Sequence, residues 1–257
     1  MHPIALPSRL QPVDRAVVAK FTSSKEVSSR GVQEVVYLID EAVGFRESLM
    51  ALLRSRGLEA VGFSSAGEYF KYPRRDGAAC LIVDFHLRDM CSFALLRKLK
   101  DQGGPPVIFI SGSPDVPNTV SAMSAGAMEF FEKPVDLDSL LVAIRLAFEQ
   151  HRKIRQKNAE LARLKGQLSL LTPREREVLP LVVGGVLNQR AAAVLGISKV
   201  TLQIHRSQVM RKMGADSVAD LVRMAVKLRI PHRCAGQMAQ ARAEEEQQRR
   251  GSGLVAL

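Results

Sequence analysis

LIV at 81–83 and VIFI at 107–110 decide the fold, because neither short apolar run has polar residues at alternate positions. Strands of this kind are buried on both faces, as in parallel sheets covered by helices. Working outward from them, similar runs alternate with helix-period segments between residues 35 and 150. The expected strands are Val35–Ile39, Leu58–Phe63, Cys80–Val83, Val107–Ile110 and Met128–Phe131, and the expected helices are Phe45–Arg56, Ala66–Tyr72, Phe93–Lys100, Val116–Ala125 and Leu137–Gln150. The sequence therefore predicts a doubly wound α/β domain with a five-stranded parallel sheet.

Beyond residue 168 the pattern changes to short helices joined by tight connections. Thr172, Pro173 and Glu175 have the order of a helix cap, a first helical residue and a capping-box acid. Residues of the capping types mark later helix starts, at Ser198 and Ser217, and helix ends, at Gly196 and Gly214. An alanine-rich segment at 188–195 precedes a Gly-Ile-Ser turn and a longer helix at 199–213. The pattern predicts an all-α four-helix domain that contains a helix-turn-helix.

The positive charge of the chain lies in its C-terminal part. Residues 151–257 carry 20 Lys and Arg against 8 Asp and Glu, whereas residues 1–150 carry 17 against 18. The formal net charge of +11 therefore comes from the second part alone. A basic module joined to a neutral one indicates a polyanion partner, either nucleic acid or a membrane surface. A solvated basic linker explains part of the excess.

The sequence excludes several other classes of protein. It has no apolar run long enough to span a bilayer and no secretory signal pattern, so we expect a cytoplasmic protein without a membrane partner. Cys80, Cys91 and Cys234 are odd in number and widely separated, which disfavours a disulfide framework or a zinc site.

The remaining segments connect or extend the two domains. We expect a flexible N-terminal extension at 1–33, a first domain at 34–150, a helical linker at 151–167, a second domain at 168–230 and a C-terminal tail at 231–257. Apolar residues recur near heptad spacing around the linker, at Ile154, Leu161, Leu164, Leu168 and Leu171. A solvated linker helix and a short coiled coil both fit this spacing, since Lys157 and Gly166 interrupt it.

Polar residues of the first domain gather at one end of the predicted strands. Asp40 and Glu41 follow the first strand, Asp84 the third, Ser111 the fourth and Lys133 the fifth. In an open parallel sheet this edge is the binding edge. Three carboxylates make a site for a hard divalent cation beside a nucleophile, and a lysine stabilises charge on transferred oxygens. The set predicts phosphoryl transfer to Asp84, with Asp40 and Glu41 holding Mg²⁺.

These residues resemble the receiver domain of two-component response regulators. The motifs that carry the resemblance are VYLIDE at 36–41, LIVD at 81–84, FISG at 109–112 and FFEKP at 130–134. The resemblance covers residues 35–150 and implies a flavodoxin-like receiver domain over the predicted 34–150.

The resemblance also implies a role for each matching residue. Asp84 would be phosphorylated by a sensor histidine kinase, Ser111 would bind a phosphoryl oxygen and change position, and Lys133 would pair with the phosphate. Phe130 would be the rotating aromatic of the switch, and the Lys133–Pro134 peptide would be cis. The Mg²⁺ ligands would be Asp40, Glu41, Asp84 and the main-chain carbonyl of His86.

Three positions depart from the pattern of receivers. Ala42 stands where a third acid often follows the first two, Arg88 where receivers commonly have proline, and Ser92 where they commonly have glycine. These residues leave an alternative open, an atypical regulator whose DNA binding is controlled by a protein partner or ligand without phosphorylation.

Residues 168–230 resemble the LuxR-type helix-turn-helix output domain of the FixJ/NarL class of response regulators. The matching segments are LTPREREVLPLVVGG, NQRAAAVLGIS, TLQIHRSQVMRKMG and LVRMAV. In the helix 199–213, Leu202, His205, Val209 and Met213 form a stripe expected to face the core, and the opposite face offers Val200. The expected DNA contacts are Lys199, Thr201, Gln203, Ile204, Arg206, Ser207 and Arg211, with Lys212 as a further phosphate contact. Gln203, Ile204 and Ser207 occupy the family's base-contacting positions, and the cations would contact phosphates.

The resemblance implies a transcription regulator rather than an enzyme, although Asp84 would also lose its phosphoryl group by autodephosphorylation. Its partners would be a sensor histidine kinase, double-stranded promoter DNA and a second copy of the chain on activation, with RNA polymerase as a further candidate. A phosphatase of the dehalogenase-like class is rejected because His86 stands where that class needs a second acid. A P-loop is excluded because GxxxxGK[ST] does not occur.

Overall fold

The computed structural model describes residues 34–113 and 116–231. The predicted extension at 1–33, Cys234 and all of the predicted tail except Pro231 lie outside these residues. The chain divides into two compact units between Arg155 and Gln156.

The first unit contains the predicted parallel sheet. Its strands are β1 (Val35–Ile39), β2 (Glu59–Phe63), β3 (Ala79–Asp84), β4 (Val107–Ser111) and β5 (Glu129–Glu132). They pair in parallel in the order β2-β1-β3-β4-β5. The fold class predicted for this part of the chain is confirmed.

Nine helices occur in residues 34–113 and 116–231. They are α1 (Val43–Ser55), α2 (Ala66–Lys71), α3 (Ser92–Asp101), α4 (Val116–Ala125), α5 (Leu137–Ser169), α6 (Pro173–Val183), α7 (Asn188–Leu195), α8 (Lys199–Met213) and α9 (Val218–Lys227). The bounds of α1 to α4, α7 and α8 lie within two residues of the expected ones. None of these helices combines the length and apolar character needed to cross a membrane.

Both faces of the sheet are buried, which explains the uninterrupted apolar runs. Val35, Tyr37 and Ile39 of β1 belong to a core cluster on one face, and Val36 and Leu38 belong to a second cluster on the other. All five residues are at most 3% exposed. A strand covered on both sides has no position at which a polar side chain reaches water.

Helix α5 joins the expected helix at 137–150 and the expected helical linker at 151–167 into one helix. The start of the linker part is attached to the first unit at the amino end of β3. His151 is buried, and its Nδ1 accepts a hydrogen bond of 2.7 Å from the Ala79 main-chain N–H. Arg152 pairs with Glu34, and Arg155 pairs with Asp76 at 3.1 Å. Burial, with smaller contributions from the charges of Arg155 and Arg74, lowers the pKa of His151 to about 4. The ring is therefore held neutral in the folded chain.

We expect His151 to make the first unit sensitive to acid. Its pKa is about 4 when folded and 6.5 ordinarily, so the unfolded chain binds more protons between these values. The stability that the neutral ring contributes is present above pH 6.5 and is lost as the pH falls toward 4. The free energy of unfolding should fall over this range by up to about 3 kcal/mol more in the wild type than in His151→Asn, which keeps an acceptor without the titrating ring.

Tyrosine fluorescence measures this loss in the full chain. All three tyrosines lie at positions 37, 69 and 72, and there is no tryptophan, so the signal reports the first unit alone. Urea unfolding of the wild type and His151→Asn across the pH range is the measurement, with His205→Asn as the control in the other unit. Parallel stability profiles for all three proteins would refute the role assigned to His151.

The second unit is an all-α bundle with the predicted helix ends. Thr172 and Glu175 form a capping box at the start of α6. Ser198 and Ser217 cap α8 and α9 through their side chains. Gly196 and Gly214 end α7 and α8 in the left-handed conformation, with φ of 63° and 64°. Four helices and their caps thus follow the sequence pattern closely.

The C-terminal part of α5 packs into this same bundle. Leu164 and Leu171 are 1% and 3% exposed in the core that α6 to α9 build, and Leu168 packs against it. Glu160 also pairs with Lys227 at 2.6 Å. Leu164, Leu168 and Leu171 therefore belong to the core of the second unit, which favours a packed linker helix over a coiled coil at these three positions.

Candidate active site and nucleic-acid interface

The carboxyl edge of the sheet brings together the polar residues predicted for the site. Asp40 follows β1, Asp84 ends β3 and Ser111 ends β4, while Lys133 follows β5. Parallel pairing puts these strand ends side by side, with Asp84 opposite Ile110 and Ser111 opposite Glu132. Residues separated by up to 93 positions in sequence thereby share one site.

Lys133 holds two carboxylates at the centre of this site. Its Nζ donates to Asp40 Oδ2 at 2.8 Å and to Asp84 Oδ2 at 2.6 Å. The Asp40 side chain is 2% exposed, whereas those of Asp84 and Lys133 are 18% and 21% exposed. Burial lowers the pKa of the Lys133 ammonium, but its hydrogen bonds to Asp40 and Asp84 outweigh this effect and leave the pKa above its ordinary value. Lys133 therefore stays charged between two acids.

Asp84 is placed to react at a surface cavity. Its second oxygen, Oδ1, accepts a hydrogen bond of 2.8 Å from the His86 main-chain N–H, which fixes the carboxylate plane. The cavity has a volume of about 350 Å³. Its lining consists of Asp40, Glu41, Ala42, Asp84, His86, Arg88, Gly112, Ser113 and Lys133. Asp40 is buried beneath Lys133, so Asp84 is the more accessible carboxylate of the pair.

Glu41 does not join the other two acids. Its Oε1 accepts the Arg88 main-chain N–H at 2.7 Å, and its Oε2 lies 3.1 Å from Arg88 Nε. Within residues 34–113 and 116–231, no group of three His, Cys, Asp or Glu side chains is arranged to hold a metal ion. The three carboxylates nevertheless line one cavity, and all of their donor atoms are oxygens, the ligands that Mg²⁺ prefers. The donor set fits a hard cation once Glu41 turns from Arg88.

Ser111 and Phe130 lie behind the cavity. Ser111 is fully buried, and its Oγ accepts the Ser113 main-chain N–H at 3.2 Å and lies 3.4 Å from His86 Nδ1. Phe130 is half-buried, with its ring 5.4 Å from that of Phe85, the residue directly after Asp84. No role was predicted for Phe85 or Ser113 from the sequence. Phe85 directly follows Asp84 and Ser113 lies two residues after Ser111, and this closeness was the only signal available.

Helix α8 presents the predicted face to solvent. Val200 and Ile204 are 70% and 57% exposed, and Gln203, Ser207 and Arg211 are exposed beside them. The expected core stripe is buried at Leu202, Val209 and Met213, whereas His205 is half-buried. Two large aliphatic side chains held in water on an exposed helix are suited to contact with another surface.

Two of the cations predicted to contact phosphates are engaged within the protein. Arg206 donates to Asn188 Oδ1 at 2.8 Å and thereby joins α8 to the start of α7. Lys212 pairs with Glu175 at 2.7 Å, so its ammonium already has a carboxylate partner within the domain, and its contact with a phosphate stays a prediction. The hydrogen bond from Lys212 lowers the pKa of Glu175, and those from Thr172 lower it further. Lys199 and Arg211 remain exposed on α8.

Two family models match the chain. The model described as a response regulator receiver domain matches residues 36–145. The model described as bacterial regulatory proteins of the luxR family matches residues 169–225.

Relatives match across both of these regions. Nodulation protein W of Bradyrhizobium diazoefficiens is 39% identical over 197 residues, which cover 76% of this chain and 87% of that protein. Response regulator protein TodT of Pseudomonas putida is 38% identical over 209 residues, which cover 81% of this chain and 91% of that protein. The chain belongs to the two-component response regulators. The solved response regulator StyR is 34% identical to it with a TM-score of 0.64, and the match covers 76% of this chain and all of that one.

This response regulator accommodates the unusual residues of its receiver domain. Ser92 is buried at the start of α3, where its hydroxyl donates to the Phe85 carbonyl. Ala42 precedes α1, and its main-chain N–H donates to Asp40 Oδ1 at 2.8 Å. Neither residue disturbs the contacts between Asp40, Lys133 and Asp84. The grounds for an atypical regulator are weakened at both positions, and the family comparisons do not favour it.

Removing the Lys133 ammonium should destabilise the receiver, because Asp40 would be left buried without its cation. We expect Lys133→Met to lower the free energy of unfolding by about 1.5–3 kcal/mol. The double variant Asp40→Asn/Lys133→Met removes the uncompensated charge as well and should recover part of the loss. Urea unfolding followed by tyrosine fluorescence compares the wild type, Asp40→Asn, Lys133→Met and the double variant. Losses for the two single changes that simply add in the double variant would contradict the coupling.

Proposed function

We propose that this response regulator accepts a phosphoryl group on Asp84 from a sensor histidine kinase, and that the phosphorylated receiver controls binding of the LuxR-type domain to promoter DNA. The observation that carries the proposal is the Asp84 carboxylate, open to a cavity and held by Lys133 next to the buried Asp40. A carboxylate that attacks phosphorus must overcome repulsion between anions. A neighbouring ammonium lowers that barrier.

The transfer divides among the residues of the site. An Asp84 oxygen forms a bond to phosphorus while the bond between phosphorus and the kinase histidine nitrogen breaks, and the electron pair of that bond stays on the nitrogen. Lys133 neutralises charge on the transferred oxygens. Asp40, Glu41, Asp84 and the His86 carbonyl would hold Mg²⁺, which supplies further positive charge to the phosphoryl oxygens when bound. Later attack by water on phosphorus would return Asp84 to a free carboxylate, so the regulator would reset itself.

Ser111 and Phe130 are the proposed links from the phosphoryl group to the rest of the receiver. The Ser111 hydroxyl lies behind the cavity and would donate to a phosphoryl oxygen after a small shift toward it. Phe130 packs on Phe85 and Phe109, and a movement of Ser111 would leave room for its ring to turn inward. Because the core is tightly packed, Ser111 and the Phe130 ring would move between two discrete arrangements rather than through a continuous range.

Substitution at the acceptor tests the first part of this proposal. After incubation with acetyl phosphate and Mg²⁺, the wild type should gain one phosphoryl group by intact mass, and Asp84→Asn should gain none, because an amide is not a nucleophile toward phosphorus. Asp89→Asn is the matched control, since Asp89 is an exposed acid in the same loop. If Asp84→Asn took up a phosphoryl group at the wild-type rate, Asp84 would not be the acceptor.

DNA recognition is proposed for the exposed face of α8. Gln203 would pair with adenine, Ile204 would contact a thymine methyl and Ser207 would bond to a base edge. Lys199, Thr201 and Arg211 would contact phosphates, which position the helix without specifying sequence. Arg206 would support the interface by holding α7 to α8 through Asn188.

Loss of a base contact and loss of a phosphate contact should affect DNA binding differently. Gln203→Ala should reduce the free energy of DNA binding by roughly 1–3 kcal/mol, mainly for sequences that carry the preferred base at one position. Arg211→Ala should weaken binding to all sequences alike, and it should lower the slope of log affinity against log salt concentration by about one unit. Arg223→Ala removes the same charge from α9 and is the control. The measurement is binding to a library of promoter fragments at several salt concentrations. A uniform loss of affinity in Gln203→Ala would mean that this helix does not read bases as proposed.

Phosphorylation is further proposed to promote dimers through α4, β5 and α5. Val120 and Met123 of α4 are 61% and 40% exposed, which provides apolar surface for a second copy. The dimer would place two α8 helices on an inverted repeat and present the complex to RNA polymerase. Sedimentation of the chain before and after phosphorylation should show an increase in mass, which Val120→Asp should prevent. Equal masses for the wild type in both states would remove this mechanism.

A further inference from the structure

Arg88 makes two contacts with one predicted ligand of the cation. Its main-chain N–H donates to Glu41 Oε1 at 2.7 Å, and its Nε lies 3.1 Å from Glu41 Oε2. Both oxygens of the Glu41 carboxylate are thus engaged from the same residue. The contacts cross from the loop after β3 to the residue after β1, over 47 positions in sequence.

These contacts depend on the residue at position 88. Receivers commonly have proline here, and proline has neither a main-chain N–H nor a charged side chain. With proline, Glu41 would keep a free carboxylate facing the cavity. In this chain, Arg88 supplies both a donor and a counter-charge.

We propose that Arg88 competes with the divalent cation for Glu41, so that metal binding in this receiver requires release of the Arg88 contacts. The inference rests on the proposed cation site. Lys133 already contacts Asp40 and Asp84, and Arg88 pairs with the third acid of the cavity, Glu41. A cation entering the site must draw Glu41 away from a residue that satisfies both of its oxygens.

The exposure of the pair sets the size of the effect. The Arg88 side chain is 91% exposed and that of Glu41 is 35% exposed, so water competes for both partners. Ion pairs of this kind are weak, and removing the guanidinium should strengthen cation binding by about two- to fivefold. Salt screens exposed charges, so the difference should shrink as ionic strength rises. Arg88 therefore weakens cation binding, to an extent that depends on ionic strength, without preventing it.

Cation binding to the full chain tests the proposal without any measurement of phosphorylation. Free Mn²⁺ is followed by its electron paramagnetic resonance signal during titration of the protein, and added Mg²⁺ then displaces it to give the affinity for Mg²⁺. Arg88→Ala removes the guanidinium and keeps the N–H, and Arg88→Pro removes both. Arg97→Ala is the matched control, because it deletes the same charge from an exposed position on α3.

We expect both cations to bind Arg88→Ala about two- to fivefold more tightly than the wild type, and Arg88→Pro more tightly still. Arg97→Ala should bind as the wild type does. Equal or weaker binding by Arg88→Ala, with its tyrosine-fluorescence unfolding intact, would overturn the role of Arg88 and leave the cation site standing. Binding that is absent from the wild type, or unaffected by Glu41→Gln, would overturn the proposed cation site and this inference with it.

Discussion

The two contacts of Lys133 with Asp40 and Asp84 are the constraint on which the receiver depends. Two carboxylates end neighbouring strands at the same edge of the sheet, and Asp40 is almost wholly buried there. Buried charges of like sign are unfavourable without a cation between them. Lys133 reaches them only because β5 ends on the far side of β4, in the order β2-β1-β3-β4-β5. The strand order therefore brings a cation to the edge at which two carboxylates, one of them buried, need it.

The same edge also gives the three acids the different surroundings that their proposed roles require. Asp40 is held below the surface, while Asp84 keeps one oxygen on Lys133 and the other on a main-chain N–H. Glu41 lies at the rim, where Arg88 rather than Lys133 neutralises it. The acids thus differ in depth and partner, which separates the proposed acceptor from the proposed ligands. The sequence predicted different roles for the three acids, but it did not reveal their different depths and partners.

Patterns that depend on local physics were predictable. The strands follow from uninterrupted apolar runs, which a sheet buried on both faces requires. The amino ends of α6, α8 and α9 follow from capping residues whose side chains form hydrogen bonds within the first turn. The exposed face of α8 follows from helical periodicity. Each of these features is determined by residues within a few positions of one another.

Features that depend on distant partners were not predictable. The continuation of α5 is attached through a bond from Ala79 to His151, 72 positions apart. Lys212 was assigned to DNA because nothing near it in sequence reveals Glu175, 37 positions earlier. The contact of Glu41 with Arg88 likewise depends on how the loop after β1 packs against the loop after β3. In every case the deciding contact joins polar groups that are far apart in sequence and that only the folded chain brings close.

In the proposed regulation, phosphorylation of Asp84 controls DNA binding by the second domain. Fluorescence anisotropy of a selected promoter fragment, titrated with the full chain with and without acetyl phosphate and Mg²⁺, measures this control. We expect phosphorylation to tighten binding by about 5- to 150-fold in the wild type, the usual range of allosteric coupling, and to leave Asp84→Asn unchanged. Equal affinity of the wild type in both states, with its phosphorylation confirmed by mass, would rule this regulation out.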